Sequence, residues 1–138
     1  MPVTINASPS NGLVQTADGS GIIKVQSNGV TTNALAWVNF NGTTSPGTIR
    51  SQYNVSSVTK NGTGDYTLNF TTALSDANYS AVGSGGGDNY NTNGAGVINF
   101  NYNKTSGTAV APTTSAVRLV VGYSGVDQPY MYIAVFGN

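Results

Sequence analysis

The sequence predicts an all-β chain, an antiparallel β-sandwich or jelly-roll-like single domain with an N-terminal arm and hairpin. Three observations carry this. Apolar residues recur at period two between breaks rich in Gly, Asn, Pro and Ser. No segment sustains a helical apolar stripe over three turns. Turn-forming residues abound, with 18 glycines among 138 residues, a length that suits one domain with its own core.

The opening "MPVTINASPS" carries Pro2 and Pro9 and offers only Val3 and Ile5 for burial. Such an end either frays or docks on a neighbour, and its lack of charge favours docking. Extended, ten residues reach about 33–36 Å, enough to cross to an adjacent molecule. "GLVQTADGSGIIKVQSNG" then reads as a small hairpin, residues 13–16 against 22–26, turning at "ADGSG". Residues 1–30 thus form an arm and hairpin within the same unit as a sandwich over 31–138. Val3, Ile5, Leu13 and Val14 are the candidate assembly contacts.

Further strands are expected over 34–40, with Trp37 buried, and over 49–59, 66–71, 79–83, 97–103, 116–123 and 131–136. In "DYTLNF", Tyr66, Leu68 and Phe70 share one face while Thr67 and Asn69 take the other, the pattern of a half-buried strand. Its partner "IRSQYNVSSV" puts Ile49, Tyr53 and Val55 on one face but leaves Val58 out of phase. A bulge near Ser56 and Ser57 returns Val58 to the core. Between the two, "KNGTGD" supplies Asn and Gly for a tight turn. The stretch "GSGGGDNYNTNGAG" over 83–96 is a long loop, either a plain surface connection or a recognition loop built on Asp88, Asn89, Tyr90 and Asn91. Tyr flanked by small polar residues is the composition of adaptable binding loops.

Only 7% of the chain is charged and its formal net charge is zero. Near-zero charge favours association, so a homo-oligomer, dimer or trimer, is expected. Lys24, Arg50, Lys60, Lys104 and Arg118 are scattered, whereas nucleic-acid binding needs clustered cations. No apolar run approaches the ~20 residues of a membrane-spanning helix, and the start lacks a secretory leader's basic and apolar regions. The chain contains no His, Cys or Glu, which removes the usual general base, the thiolate and the commonest transition-metal ligands. Of the carboxylates, Asp18, Asp65, Asp76 and Asp127 fit turns, where Asp bonds local backbone. Asp88 stands alone where a hard cation wants several oxygens. "GSGGGD" lacks the Lys of a phosphate loop. No enzymatic activity, cofactor or metal is expected.

At "AWVNFNGTTSPGTIRSQYNVSSVTKNGTGDYTLNFTTALSDANYS", residues 36–80, the chain resembles a domain of tailed-bacteriophage proteins, found near the C-terminus of tail-fibre and other exterior virion proteins. "GLVQTADGSGIIKVQSNG" resembles the segment that often precedes that domain, and "YMYIAVFGN" is similar to strands that close such chains. The resemblance covers most of the sequence and implies a non-enzymatic β-sandwich on the virion exterior, assembled in the host cytoplasm. Fibres carry the domain behind a shaft, whereas here Met1 opens almost directly onto it. That favours a capsid decoration (cement) protein bound to the major capsid protein or another virion protein. The alternative is a short tail-fibre or receptor-binding module that uses the 83–96 loop on a host-surface glycan. A bacterial carbohydrate-binding or surface-layer module is a third reading.

Overall fold

The computed structural model describes residues 26–27, 30–31, 33–87, 97–122 and 125–137. In chain order the strands are β1 (Gln26–Ser27), β2 (Val30–Thr31), β3 (Ala34–Asn41), β4 (Thr48–Tyr53), β5 (Val55–Gly62) and β6 (Asp65–Phe70). There follow β7 (Ser80–Gly86), β8 (Ile98–Phe100), β9 (Tyr102–Asn103), β10 (Thr108–Ala109), β11 (Ala116–Val121) and β12 (Tyr130–Phe136). Eight of them make two four-stranded antiparallel sheets, in the orders β5-β6-β11-β8 and β4-β3-β12-β7. The remaining four pair as two short ribbons, β1-β2 and β9-β10.

The sheets bury their facing sides against each other. Ala36, Val38 and Phe40 of β3 and Met131, Ile133 and Val135 of β12 meet Val55, Val58, Tyr66, Leu68, Phe70, Val117, Leu119 and Val121 of the opposite sheet. Phe40 and Tyr66 cross this core edge to face, with ring centroids 5.4 Å apart, the favoured geometry for aromatic pairs. Tyr66, Leu68 and Phe70 point inward as the alternation requires. The pairing of β5 with β6 shifts register between Val55 and Ser57, so both Val55 and Val58 are buried. This is the bulge that the phase of Val58 calls for.

Three expectations are corrected. The strand expected over 49–59 is two strands in two different sheets, because Asn54 takes a positive φ of 54° and turns the chain from one sheet to the other. Tyr53 consequently stands on the outer face, not beside Val55 in the core. The strand expected over 97–103 breaks in the same way at Asn101, φ 59°, giving β8 and β9. Trp37 is 38% exposed, because Ala36, Val38 and Phe40 claim the inward phase of β3 and alternation turns Trp37 out. The hairpin expected over 13–26 lies outside the described residues apart from Gln26, which pairs with Thr31.

Each end of the sandwich has a latch between the sheets. At one, the Asp127 carboxylate receives Lys60 Nζ at 2.6 Å, the Tyr66 hydroxyl at 2.6 Å and the Gly64 N–H at 2.8 Å. Lys60 also donates to the Gly42 carbonyl at 3.1 Å, tying the turn after β3 into the same network. Gly64, at φ +66°, packs its backbone against Val126 and leaves no room for a Cβ, which is why the β5–β6 turn needs glycine there. At the other end, Tyr79 stacks edge to face on Phe70 at 5.9 Å and its hydroxyl donates to the Ala116 carbonyl at 3.0 Å.

Candidate functional site

The outward side of the β4-β3-β12-β7 sheet is where the chain departs from an ordinary polar exterior. Directly opposed residues of antiparallel strands project to the same side, so the register writes this surface row by row. One row runs Tyr53, Trp37, Ala134, Val82 across the four strands. The next runs Ser51, Asn39, Tyr132, Ser84. Tyr130 and Phe136 occupy the two ends of β12 on the same side. Of the eight large apolar or aromatic side chains exposed among the described residues, six lie here: Trp37, Tyr53, Val82, Tyr130, Tyr132 and Phe136. Scattered exposed apolar residues need no explanation, but a concentration on one face marks an interaction surface.

Within this face lies an open groove of about 610 Å³, within the usual size of small-ligand sites. Trp37, Tyr132 and Val82 rise around it, Ala134 lies between, and Asn39 and Ser84 contribute polar groups. The small side chain of Ala134 keeps the floor low where a larger residue would fill it. None of the lining residues is charged. Among the described residues the one cation nearby, Arg50, is fixed at the margin. Its guanidinium lies 4.8 Å from the Tyr130 ring centroid, donates to the Pro129 carbonyl at 2.6 Å and reaches Asn39 Oδ1 at 3.3 Å. A cation stacked in this way holds both the ring and the amide in place.

The charged groups of the opposite sheet have structural roles. Asp65, expected in a turn, is the first residue of β6 and is 1% exposed. Arg118 binds it bidentately, Nε to Oδ1 at 2.9 Å and Nη2 to Oδ2 at 2.7 Å, while Asn61 adds a 3.2 Å bond. Burial pushes the Asp65 carboxyl up, but the Arg118 bonds and charge, with Asn61, hold it below the ordinary carboxylate range. The same contest at Asp127 is won by Lys60, Tyr66 and the Gly64 N–H, so that carboxyl also lies low. Burial, reinforced by the bond to Asp127, pushes the Tyr66 hydroxyl far up. Both oxygens of each carboxylate are already occupied, so neither acid is placed to act as a base. Among the described residues, no group of three or more His, Cys, Asp or Glu is placed to hold a metal ion.

The candidate contacts Val3, Ile5, Leu13 and Val14 and the candidate loop Asp88, Asn89, Tyr90 and Asn91 lie outside the described residues. The aromatic face was missed in the sequence, although parity carries it. In "AWVNF" the inward set Ala36, Val38, Phe40 forces Trp37 and Asn39 outward, and in "YMYIAVF" the inward set Met131, Ile133, Val135 forces Tyr130, Tyr132 and Phe136 outward. Comparison with family models, with curated proteins and with solved structures finds no match to this chain.

Proposed function

We propose that this chain is a non-enzymatic recognition module of a tailed-phage virion exterior, binding the host surface through the outer face of the β4-β3-β12-β7 sheet. The observation that supports this reading is the alternation on that face. Rings of Trp37, Tyr53 and Tyr132 stand beside the hydroxyl and amide groups of Ser51, Asn39 and Ser84. The virion location rests on the resemblance of residues 36–80.

A second reading, a capsid decoration protein seated on the major capsid protein or on copies of itself, is favoured by the zero net charge, which lets like surfaces approach without repulsion. One experiment separates the two: labelled protein is offered to intact host cells and to emptied capsids. Saturable binding to cells, lost in Trp37→Ala, supports recognition. Binding to capsids alone makes the chain a decoration protein, and binding to neither sinks both readings.

A further inference from the structure

We infer that the groove between Trp37, Tyr132 and Val82 is a binding site for an uncharged glycan, the ring of a neutral pyranose lying over Ala134. This rests on the recognition reading above and adds to it the site and the chemical class of ligand.

The strands bearing Trp37 and Val82 are two apart in the sheet, so about 10 Å separates them, and Ala134 leaves that interval low. A flat ring can lie there with one face against aromatic carbon. The face of an aromatic ring carries negative charge density and attracts the polarised C–H groups that line one side of a pyranose. The sugar's hydroxyl edge then needs donors and acceptors. Asn39 and Ser84 stand one row away, roughly 7 Å along the strands, and both line the groove.

Charge decides the class. No lining residue is charged, and Arg50 is already engaged by Tyr130, Pro129 and Asn39. Among the described residues a phosphorylated or uronate-bearing chain would meet only Arg50, at the margin and turned onto Tyr130 and Pro129, whereas a neutral ring needs no counter-charge over the uncharged lining. A second protein copy fits less well. A stable protein interface buries about 800 Å² on each partner around a dry centre. Centring one on Trp37 would take Ser51, Asn39 and Ser84 out of water, and each would then need a partner. Sugar hydroxyls supply such partners.

The single tryptophan of the chain is Trp37, so intrinsic fluorescence reads the site directly. Neutral hexose and N-acetylhexosamine oligosaccharides should change that emission saturably, with calorimetry giving the affinity and uronic-acid oligosaccharides as the charged control. Trp37→Ala and Tyr132→Ala should each weaken binding at least about tenfold, as truncated anchor residues do. Ala134→Phe, which fills the floor and removes no contact, should do the same. Tyr102→Ala, an exposed tyrosine outside the face, should leave affinity unchanged. All four variants should melt near the wild type. The inference is overturned if no neutral oligosaccharide binds, if binding survives the groove substitutions, if the charged control binds better, or if the face proves to be a self-association surface that Trp37→Ala abolishes. Cells that still bind the Trp37→Ala protein would remove this site and leave the recognition role standing. A groove that binds sugar in a protein that ignores host cells would keep the site and remove that role.

Discussion

Gln128 is wholly buried, yet neither Nε2 nor Oε1 of its side chain has a hydrogen-bond partner among the described residues. Its backbone is well used, the carbonyl accepting from Gly42 N–H at 2.9 Å, and its side-chain carbons pack toward Gly85. A buried amide in that state bears its desolvation without recovering its bonds, a burden of about 1–3 kcal/mol. Gln128→Met keeps the length and removes the polar atoms. We expect it to raise stability by about 1 kcal/mol or more, seen as a higher urea midpoint at unchanged slope. A lower midpoint would show that the amide is satisfied after all. Trp37 teaches the converse lesson at the same scale. Its size suggests the core, but side-chain direction in a strand is set by parity with its neighbours, and three inward neighbours outvote one large ring.

Among the elements, the junction of β4 and β5 repays the closest reading. Asn54 alone separates a strand of one sheet from a strand of the other. Its side chain donates to the carbonyls of Leu35 and Thr72, each at 3.1 Å, and accepts from Thr72 N–H at 2.8 Å. Asn is among the few residues that tolerate its left-handed backbone. Asn54→Ala should cost about 2–4 kcal/mol, combining lost hydrogen bonds with backbone strain. Asn54→Gly, which relieves the strain but not the lost bonds, should recover about 1 kcal/mol of that. Equal losses in chemical denaturation would mean that the angle is immaterial. This junction also marks where the sequence stops being legible. Period-two patterning shows a strand on both sides of Asn54, and even shows the bulge before Val58, because phase is a local property. Which sheet each strand joins depends on partners far along the chain, as does the pairing of Asp65 with Arg118, 53 positions away. The aromatic face was hidden for a related reason: no residue of it is unusual alone, and four strands must be in register before it exists.

For the whole molecule, the latches predict how stability varies with pH. Asp65 and Asp127 titrate below their ordinary value of 3.8 in the folded chain. Their contribution is therefore complete above that value and is lost as pH falls through the folded pKa. Tyr66 titrates above its ordinary value of 10.0, so its contribution is complete below that value and is lost as pH rises beyond it. Unfolding free energy measured across pH should hold a plateau through neutrality and fall at both extremes. Asp127→Asn should lower the plateau and soften the acid limb. A stability maximum near pH 3 would contradict the ion-pair account. Among the described residues, charged side chains thus serve the fold, Lys60 with Asp127 at one end and Asp65 with Arg118, which also reaches Asn103 of β9, while Arg50 stands at the groove.

The strand order of the β4-β3-β12-β7 sheet also sets a schedule for its birth on the ribosome. β12 sits between β3 and β7, so β7 has no partner, and β3 has only β4, until residues 130–136 are made. At a synthesis rate of about 5–20 residues per second, roughly 5–20 s pass between the emergence of β3 and that of its central partner. Throughout that interval β3 presents an unpaired hydrogen-bonding edge, and Trp37, bound for the solvent side, has no Ala134 beside it. The nascent β3–β4 hairpin is thus a stage open to wrong pairing with another chain.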